Sequence, residues 1–187
     1  MTETSGYLLV MFGVVIGLGI AHVLTEVAGL IQHRKRVKFY WVQLVWAFLF
    51  LVLLINYWYV LHRWGEFGTQ FHDYLLSLVY PCCLYLTVVL VLPKMISSGE
   101  MDLEAYYYEQ RRWVFGLAGM GLLFITVRSS IRFDTDLLDA RNLIRYSGLV
   151  LTAVLMWSDS RRVHGAITLV ALALVAFFIG RFAFDFV

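Results

Sequence analysis

The sequence predicts an all-α integral membrane protein, a bundle of six transmembrane helices, from its composition and from the grouping of its apolar residues. Hydrophobic residues make up 61% of the 187-residue chain and charged residues only 15%. Six long apolar stretches hold most of the hydrophobic residues. A bilayer surrounds such stretches with an apolar solvent, and about 20 mostly apolar residues let one helix cross it. Helices are expected because a helix satisfies its own backbone hydrogen bonds in lipid.

The six predicted spans differ in how readily they reach membrane length. The first three reach that length outright, whereas the last three have apolar cores of about fifteen residues and need arginines to complete their length. We treat the first stretch as a retained span, because it lacks the basic start and the small-residue cleavage site of a signal peptide. The chain is expected to form one transmembrane domain with spans at about residues 7–31, 39–61, 73–93, 112–131, 140–158 and 164–187.

Glycines mark the first and the fourth span. Span one carries Gly13 and Gly17 in a GxxxG spacing, and span four carries Gly116, Gly119 and Gly121. Small residues four apart let helices approach closely, so these faces are expected to pack inside the bundle or, alternatively, to form the seam of a homo-oligomer. Because a glycine-rich helix opens each group of three spans, a 3+3 organisation of inverted repeats is a further hypothesis.

The connection after span one is the most basic part of the chain. It holds Arg34, Lys35, Arg36 and Lys38, and the positive-inside rule places it in the cytoplasm. With six spans, the N-terminus and the C-terminus then both face outward. The orientation therefore depends on this one cluster more than on any other.

A short interfacial helix is predicted between spans three and four. The segment SSGEMDLEAYYYEQRRW covers residues 97–113. Ser97 followed by Glu100 fits a capping box, and three consecutive tyrosines are typical of the headgroup region. We expect this helix to lie along the membrane surface before span four begins.

Span one also carries the first candidate site, an intramembrane pair of ionisable residues. His22 and Glu26 are four residues apart, which places them on one helix face and one turn from each other. Charged groups inside a membrane are costly, and they often mark ion or proton pathways. The pair is interpreted as a proton relay or an ion-coordinating site. The alternative is a structural hydrogen bond, with Glu26 paired to Arg112 or His164.

A second candidate site lies at the opposite, outer ends of the last three spans. Arg128, Arg145 and Arg181 all fall at a similar depth near that edge, and Asn56 of span two belongs to the same layer. Guanidinium groups at that depth need carboxylates, phosphates or water. The layer is interpreted as an outer site for an anionic ligand or a lipid headgroup. The alternative is an ion-paired clamp that uses Asp134, Asp136 and Asp139 of the adjacent loop.

Two other polar features are expected to serve the packing of the helices. Gln43 should bridge neighbouring helices, and Pro81 interrupts span three and frees the carbonyl of Ser77. No cofactor is predicted, because a haem held by two histidines would need a second deep histidine opposite His22. No metal is predicted, because one histidine with one glutamate is too small a ligand set for zinc.

Three segments of the chain resemble a family of small bacterial polytopic inner-membrane proteins. They are GLGIAHVL at residues 17–24, HRKRVKFYW at 33–41 and YYYEQRRWVFG at 106–116. The likeness is strongest in the N-terminal half, where family members open with a similar GLGITHLL-like stretch and a basic, aromatic loop. The resemblance implies a location in the bacterial inner membrane and assigns no activity, but it places His22 inside the matching motif.

The sequence therefore favours a small channel or transporter for an ion, a proton or another small solute. The alternative is a structural or sensory interaction module that lacks transport activity and uses its glycine faces and its basic loop. An enzyme is the least favoured class, because no nucleophile–base pair, metal motif or phosphate loop is visible and no soluble domain accompanies the spans. The lipid bilayer is the expected partner, and nucleic acid is not.

Overall fold

A computed structural model describes residues 3–64, 71–94, 100–133 and 140–183, and within these ranges the chain is almost entirely helical. The described helices are α1 (Glu3–Gln32), α2 (Trp41–Trp64), α3 (Phe71–Val91), α4 (Leu103–Phe133), α5 (Ala140–Trp157) and α6 (Arg161–Phe178). A 3-10 turn at Arg34–Arg36 follows α1, and a π-helical turn at Ile179–Ala183 continues α6. The all-α prediction is confirmed.

Four described helices are long and apolar enough to cross a membrane. The qualifying segments are Leu9–Gln32, Trp41–Val60, Leu103–Ile131 and Arg161–Arg181. Two shorter apolar segments, Leu75–Val91 and Asn142–Trp157, lie on α3 and α5. Large apolar side chains also cover the outside of the bundle, where Ile131 is 80% exposed and Val10 is 67% exposed. This surface is that of a membrane protein, since lipid and not water is the solvent that suits it.

The predicted interfacial helix is wrong, because residues 103–133 form the single continuous helix α4. The Oδ1 atom of Asp102 accepts hydrogen bonds from the backbone N–H groups of Glu104 (2.9 Å) and Ala105 (3.1 Å), so Asp102 caps the helix. The expected capping residue Ser97 lies outside the described residues. No glycine or proline separates the polar first turns from the apolar part, so the helix continues without a break.

The helices pack as one bundle. Helix α3 lies against α1, α2 and α4, while α5 packs between α4 and α6. Helix α6 also contacts α2, so contacts α3–α4 and α2–α6 join the first three helices to the last three. The inverted-repeat arrangement of 3+3 helices stays a prediction.

Glycines permit the closest approaches between these helices. A Cβ atom added at Gly13 would lie 3.0 Å from the Trp58 ring, and one at Gly121 would lie 3.0 Å from Cys83. At Gly119 the added atom would lie 3.1 Å from the hydroxyl of Thr152. Gly17 differs, because nothing lies within 4 Å of an added Cβ atom there. Of the two GxxxG glycines, only Gly13 therefore serves a close contact within the bundle.

Three connections meet at one end of the bundle, which we call the strand end. A two-residue strand, β1 (Val37–Lys38), follows the 3-10 turn and pairs in parallel with β2 (Met101–Asp102), the strand that precedes α4. This pairing ties the basic connection after α1 to the connection after α3. The connection between α5 and α6 joins them through an ion pair of Arg111 with Asp159.

Candidate functional site

The sequence-predicted pair on α1 lies within the bundle. Glu26 is only 9% exposed, and His22 is half-buried. The Nε2 atom of His22 is buried and has no hydrogen-bond partner among the residues that the structure describes. A buried carboxyl group and an unpaired imidazole nitrogen one turn apart provide groups that can accept and release protons.

Glu26 faces the first turns of α4. Its carboxyl group lies within electrostatic reach of Tyr106, and so does the carboxyl group of Glu109, which is exposed. The Tyr106 hydroxyl donates a hydrogen bond to the backbone carbonyl of Leu90 (3.2 Å), which holds the tyrosine at the junction of α3 and α4. Ionisable groups therefore run from the interior of α1 to the surface at the strand end.

Groups other than Glu26 contact both ring nitrogens of His164, in contrast to the alternative prediction. The Nε2 atom of His164 lies 2.9 Å from the backbone carbonyl of Ser158, and its Nδ1 atom lies 2.7 Å from the hydroxyl of Tyr107. A carbonyl only accepts hydrogen bonds, so Nε2 carries a proton. In the neutral ring Tyr107 then donates its hydroxyl proton to Nδ1.

This histidine belongs to a buried network that joins three helices. His164 and Thr168 are fully buried on α6. The Thr168 hydroxyl donates to the backbone carbonyl of His164 (2.7 Å) and accepts a hydrogen bond from the indole N–H of Trp46 (3.0 Å). Sequence reasoning missed this network because it considered His164 only as an alternative partner of Glu26 near the inner edge of the membrane. The pairing with Tyr107 spans 57 positions, and no local pattern signals it.

Gln43 does bridge two helices, as the sequence predicts. Its side chain is fully buried, and its Nε2 atom donates a hydrogen bond to the backbone carbonyl of Val91 (2.7 Å). Val91 is the last residue of α3, where helix carbonyls lack partners of their own. The side chain of Gln43 therefore caps the end of the neighbouring helix.

Two of the four residues predicted for the outer site come close together. Arg128 donates to the Oγ atom of Ser77 (2.8 Å), and Arg145 donates to the Oγ atom of Ser129, the residue next to Arg128. Arg145 also donates to Asn142 Oδ1 (3.2 Å). Hydroxyl and amide groups of α3, α4 and α5 thus surround the two guanidinium groups.

The other two residues of that prediction lie on different helices. Arg181 is exposed on the π-helical turn after α6, and Asn56 is half-buried on α2. The loop carboxylates Asp134, Asp136 and Asp139 lie outside the described residues. The anion or lipid site stays a prediction.

Pro81 lies inside α3, as the sequence indicates. Proline at this position removes the hydrogen bond that the carbonyl of Ser77 would otherwise accept within α3. The hydroxyl of Tyr57 on α2 lies 3.4 Å from this carbonyl and donates to it instead. The interruption in α3 is therefore compensated by a contact from the neighbouring helix.

At the strand end, charged side chains are arranged in pairs. Lys38 Nζ lies 2.7 Å from Asp102 Oδ2, and Arg161 pairs with Glu104. The hydrogen bond from Lys38, together with the capped N–H groups of α4, holds the pKa of Asp102 below its usual range, and the same carboxylate raises the pKa of Lys38. A depressed Asp pKa and a raised Lys pKa keep both groups charged between about pH 4 and pH 10.

Comparison of the chain with protein-family models, curated proteins and solved structures finds no match. The described residues also contain no group of three or more His, Cys, Asp or Glu side chains that would hold a metal ion.

Proposed function

We propose that this chain crosses the membrane six times and moves protons or another small ion or solute along a polar path that begins at His22 and Glu26. The observation that carries the proposal is the buried glutamate on α1, together with the unpaired, buried Nε2 atom of His22 one turn away. Both lie on a helix that is otherwise apolar enough to span a bilayer.

Polar side chains such as His22 and Glu26 cost free energy in a membrane-spanning helix. A buried polar group without a hydrogen bond costs about 1–3 kcal/mol, and an ionised group inside a membrane costs more. Leucine at either position would avoid that cost and would suit a purely structural helix. A pathway provides a reason for the cost, because a permeating proton or ion needs groups that exchange partners.

The path would continue from Glu26 to the strand end. Tyr106 and Glu109 lie next along it, and Glu109 is exposed. The phenol and the two carboxyl groups supply successive positions at which a proton or a small cation is held. We propose that the strand end, with its basic connection, faces the cytoplasm of a bacterium and that both termini face outward, in line with the positive-inside rule.

Proton flux into liposomes tests the proposal. The full chain is reconstituted with a pH-sensitive dye inside the vesicles, and a potassium gradient with valinomycin drives protons inward. We expect flux above that of protein-free vesicles, and we expect His22→Ala and Glu26→Gln each to reduce it by about tenfold or more, since one proton-transfer group contributes roughly 10²–10⁴-fold to a rate. The same assay with sodium or potassium probes covers the ion alternative.

Thr25→Ala is the matched control, because Thr25 is exposed on the same turn of α1. Its flux should equal that of the unchanged protein. If all three variants are folded and inserted and their flux equals that of the unchanged protein, His22 and Glu26 do not belong to a pathway.

A second candidate function is that of an interaction module. Arg34, Lys35 and Arg36 are all exposed on the 3-10 turn, and the β1–β2 pairing holds that turn in place. A fixed basic surface suits an acidic partner protein. This reading predicts an absence of flux and a co-purifying partner that is lost when residues 34–38 are neutralised.

A further inference from the structure

A pocket of about 350 Å³ opens at the strand end, apart from the path proposed above. Four segments form it: β1, the start of α4 with β2, the α5–α6 connection and the start of α6. Its lining residues are Lys38, Asp102, Glu104, Ala105, Tyr108, Arg111, Asp159 and Arg161. Three of these side chains are cationic and three are carboxylates, so the pocket carries both charges in equal number.

The charges lie at two depths. The side chains of Arg111 and Glu104 are only 11% and 16% exposed. Their ion-pair partners, Asp159 and Arg161, are 79% and 75% exposed. The pocket therefore has a shielded cation and a shielded anion on its floor, and solvent-exposed charges at its rim.

Arg111 retains an unused donor. Its Nη1 atom donates to the backbone carbonyl of Tyr108 (2.7 Å), and Nη2 donates to Asp159. The Nε–H group is buried and has no hydrogen-bond partner among the described residues. The guanidinium carbon lies 5.6 Å from the centre of the Tyr108 ring, a distance at which the ring attracts a cation. These contacts position the guanidinium group and leave its Nε–H group without a partner among the described residues.

We propose that this pocket binds a small zwitterion, a molecule that carries an ammonium group and a phosphate or phosphodiester group. The phosphate takes the Arg111 guanidinium, whose fork of donors suits phosphate oxygens, and the ammonium takes the Glu104 carboxylate. A simple anion would place its charge among three carboxylates, and a simple cation would meet three cations. Only a ligand with both charges matches both floor groups.

A ligand of this kind can exchange with the two ion pairs of the pocket. The ligand replaces Asp159 on Arg111 and replaces Arg161 on Glu104. Each of these ion pairs joins a shielded floor group to a solvent-exposed rim group, and the ligand supplies a charge of the same sign in place of that rim group. The two displaced rim groups return to water and keep their hydration.

Two sources supply this chemistry, the phosphoethanolamine headgroup of a lipid and a soluble phosphoethanolamine. Trp41, Trp113 and Trp157 are all exposed near the strand end, where indole rings mark the headgroup level of a bilayer. The pocket thus lies within reach of lipid headgroups as well as of the aqueous phase.

Calorimetric titration of the full-length protein in detergent at pH 7 tests the proposal with three probes: phosphoethanolamine, inorganic phosphate and ethanolamine. We expect the zwitterion to bind about tenfold or more tightly than either half, a difference of about 1.4 kcal/mol. Arg111→Gln and Glu104→Gln should each weaken it by a similar factor. Arg112→Gln is the matched control, because Arg112 is an exposed neighbour outside the pocket lining, and its affinity should not change.

Native mass spectrometry of the protein from nanodiscs provides the lipid arm, with phosphatidylethanolamine compared with phosphatidylglycerol. Selective retention of phosphatidylethanolamine that Arg111→Gln abolishes assigns the lipid source, and binding in the calorimetric arm alone assigns a soluble zwitterion. Equal affinity for the three probes without selective lipid retention overturns the proposal, and so does an absence of binding in both arms. The probe comparison uses the unchanged protein, so a variant that fails to fold does not obscure the result. Loss of proton flux has no bearing on it.

Discussion

His164 shows how one buried polar residue is satisfied in this bundle. Both ring nitrogens have partners, Tyr107 at 2.7 Å and the Ser158 carbonyl at 2.9 Å, and the side chain is fully buried. A buried polar side chain needs all of its hydrogen-bond partners, because a buried acceptor that loses its donor bears the full cost of desolvation.

Tyr107→Phe removes one of these partners without changing the size of the ring. We expect a loss of about 1–3 kcal/mol in the free energy of unfolding, because the Nδ1 atom of His164 is left buried without a donor. Thermal unfolding in detergent, followed by tryptophan fluorescence, measures the change. Tyr106→Phe is the control, since Tyr106 is half-buried and donates at 3.2 Å; its loss should be smaller. An equal or larger loss from Tyr106→Phe would contradict the network's importance.

At the residue scale, sequence reasoning worked where the signal was local. The chemistry of Gln43 and of Pro81 each indicates a polar contact with a neighbouring helix, and the structure shows both contacts. The site at His22 and Glu26 stays a prediction from their spacing of four residues on an apolar helix. His164 did not yield to the same reasoning, because its partner Tyr107 lies on another helix and only tertiary packing brings them together.

At the scale of helices, glycine positions decide how closely neighbours approach. Sequence spacing alone treats Gly13 and Gly17 as one contact face, whereas the structure uses Gly13 and leaves Gly17 open. Which side of a helix meets a neighbour depends on its rotation in the bundle, and a spacing of four residues does not encode that rotation.

Two substitutions separate an open glycine from a packed one. Gly17→Ala should leave stability unchanged or raise it by up to about 1 kcal/mol, because alanine is the better helix former and nothing lies within 4 Å of the new Cβ atom. Gly121→Val should lower stability by about 1–3 kcal/mol, because its Cβ atom would lie 3.0 Å from Cys83 and 3.4 Å from the Tyr80 ring. The midpoint of thermal unfolding in detergent compares the two. Destabilisation by Gly17→Ala would place a neighbour, such as a second copy, against that face.

Helix α4 shows why the predicted interfacial helix was wrong. Its 31 residues measure about 46 Å at about 1.5 Å per residue, longer than the roughly 30 Å of a hydrocarbon core. The polar composition of the first turns led to the prediction of a separate helix there. Composition does not indicate a change of direction, which needs a helix-breaking residue, and residues 103–133 contain no proline.

For the whole molecule, apolar surface both inside and outside the bundle is the dominant physical fact. The core is made of buried aliphatic and aromatic side chains, yet Trp157 and Trp113 are 71% and 69% exposed. Composition and run length were enough to predict this architecture, because the bilayer imposes the same demand on every span. The polar contacts at the strand end were beyond that reasoning, since they join three connections far apart in sequence.

The proposed six crossings also determine which connections share a face of the membrane. The strand end gathers the connections after α1, α3 and α5, so Arg36 and Ser160 should lie on one side. Glu3 at the start of α1 and Ala140 at the start of α5 should lie on the other.

Labelling of single cysteines by a membrane-impermeant maleimide in intact and permeabilised cells tests this arrangement most directly, after Cys82 and Cys83 are replaced by alanine. We predict that Arg36→Cys and Ser160→Cys react only after permeabilisation, whereas Glu3→Cys and Ala140→Cys react in intact cells. Reaction of Arg36→Cys and Ser160→Cys from opposite faces, or of all four cysteines from the same face, would contradict the six-span bundle.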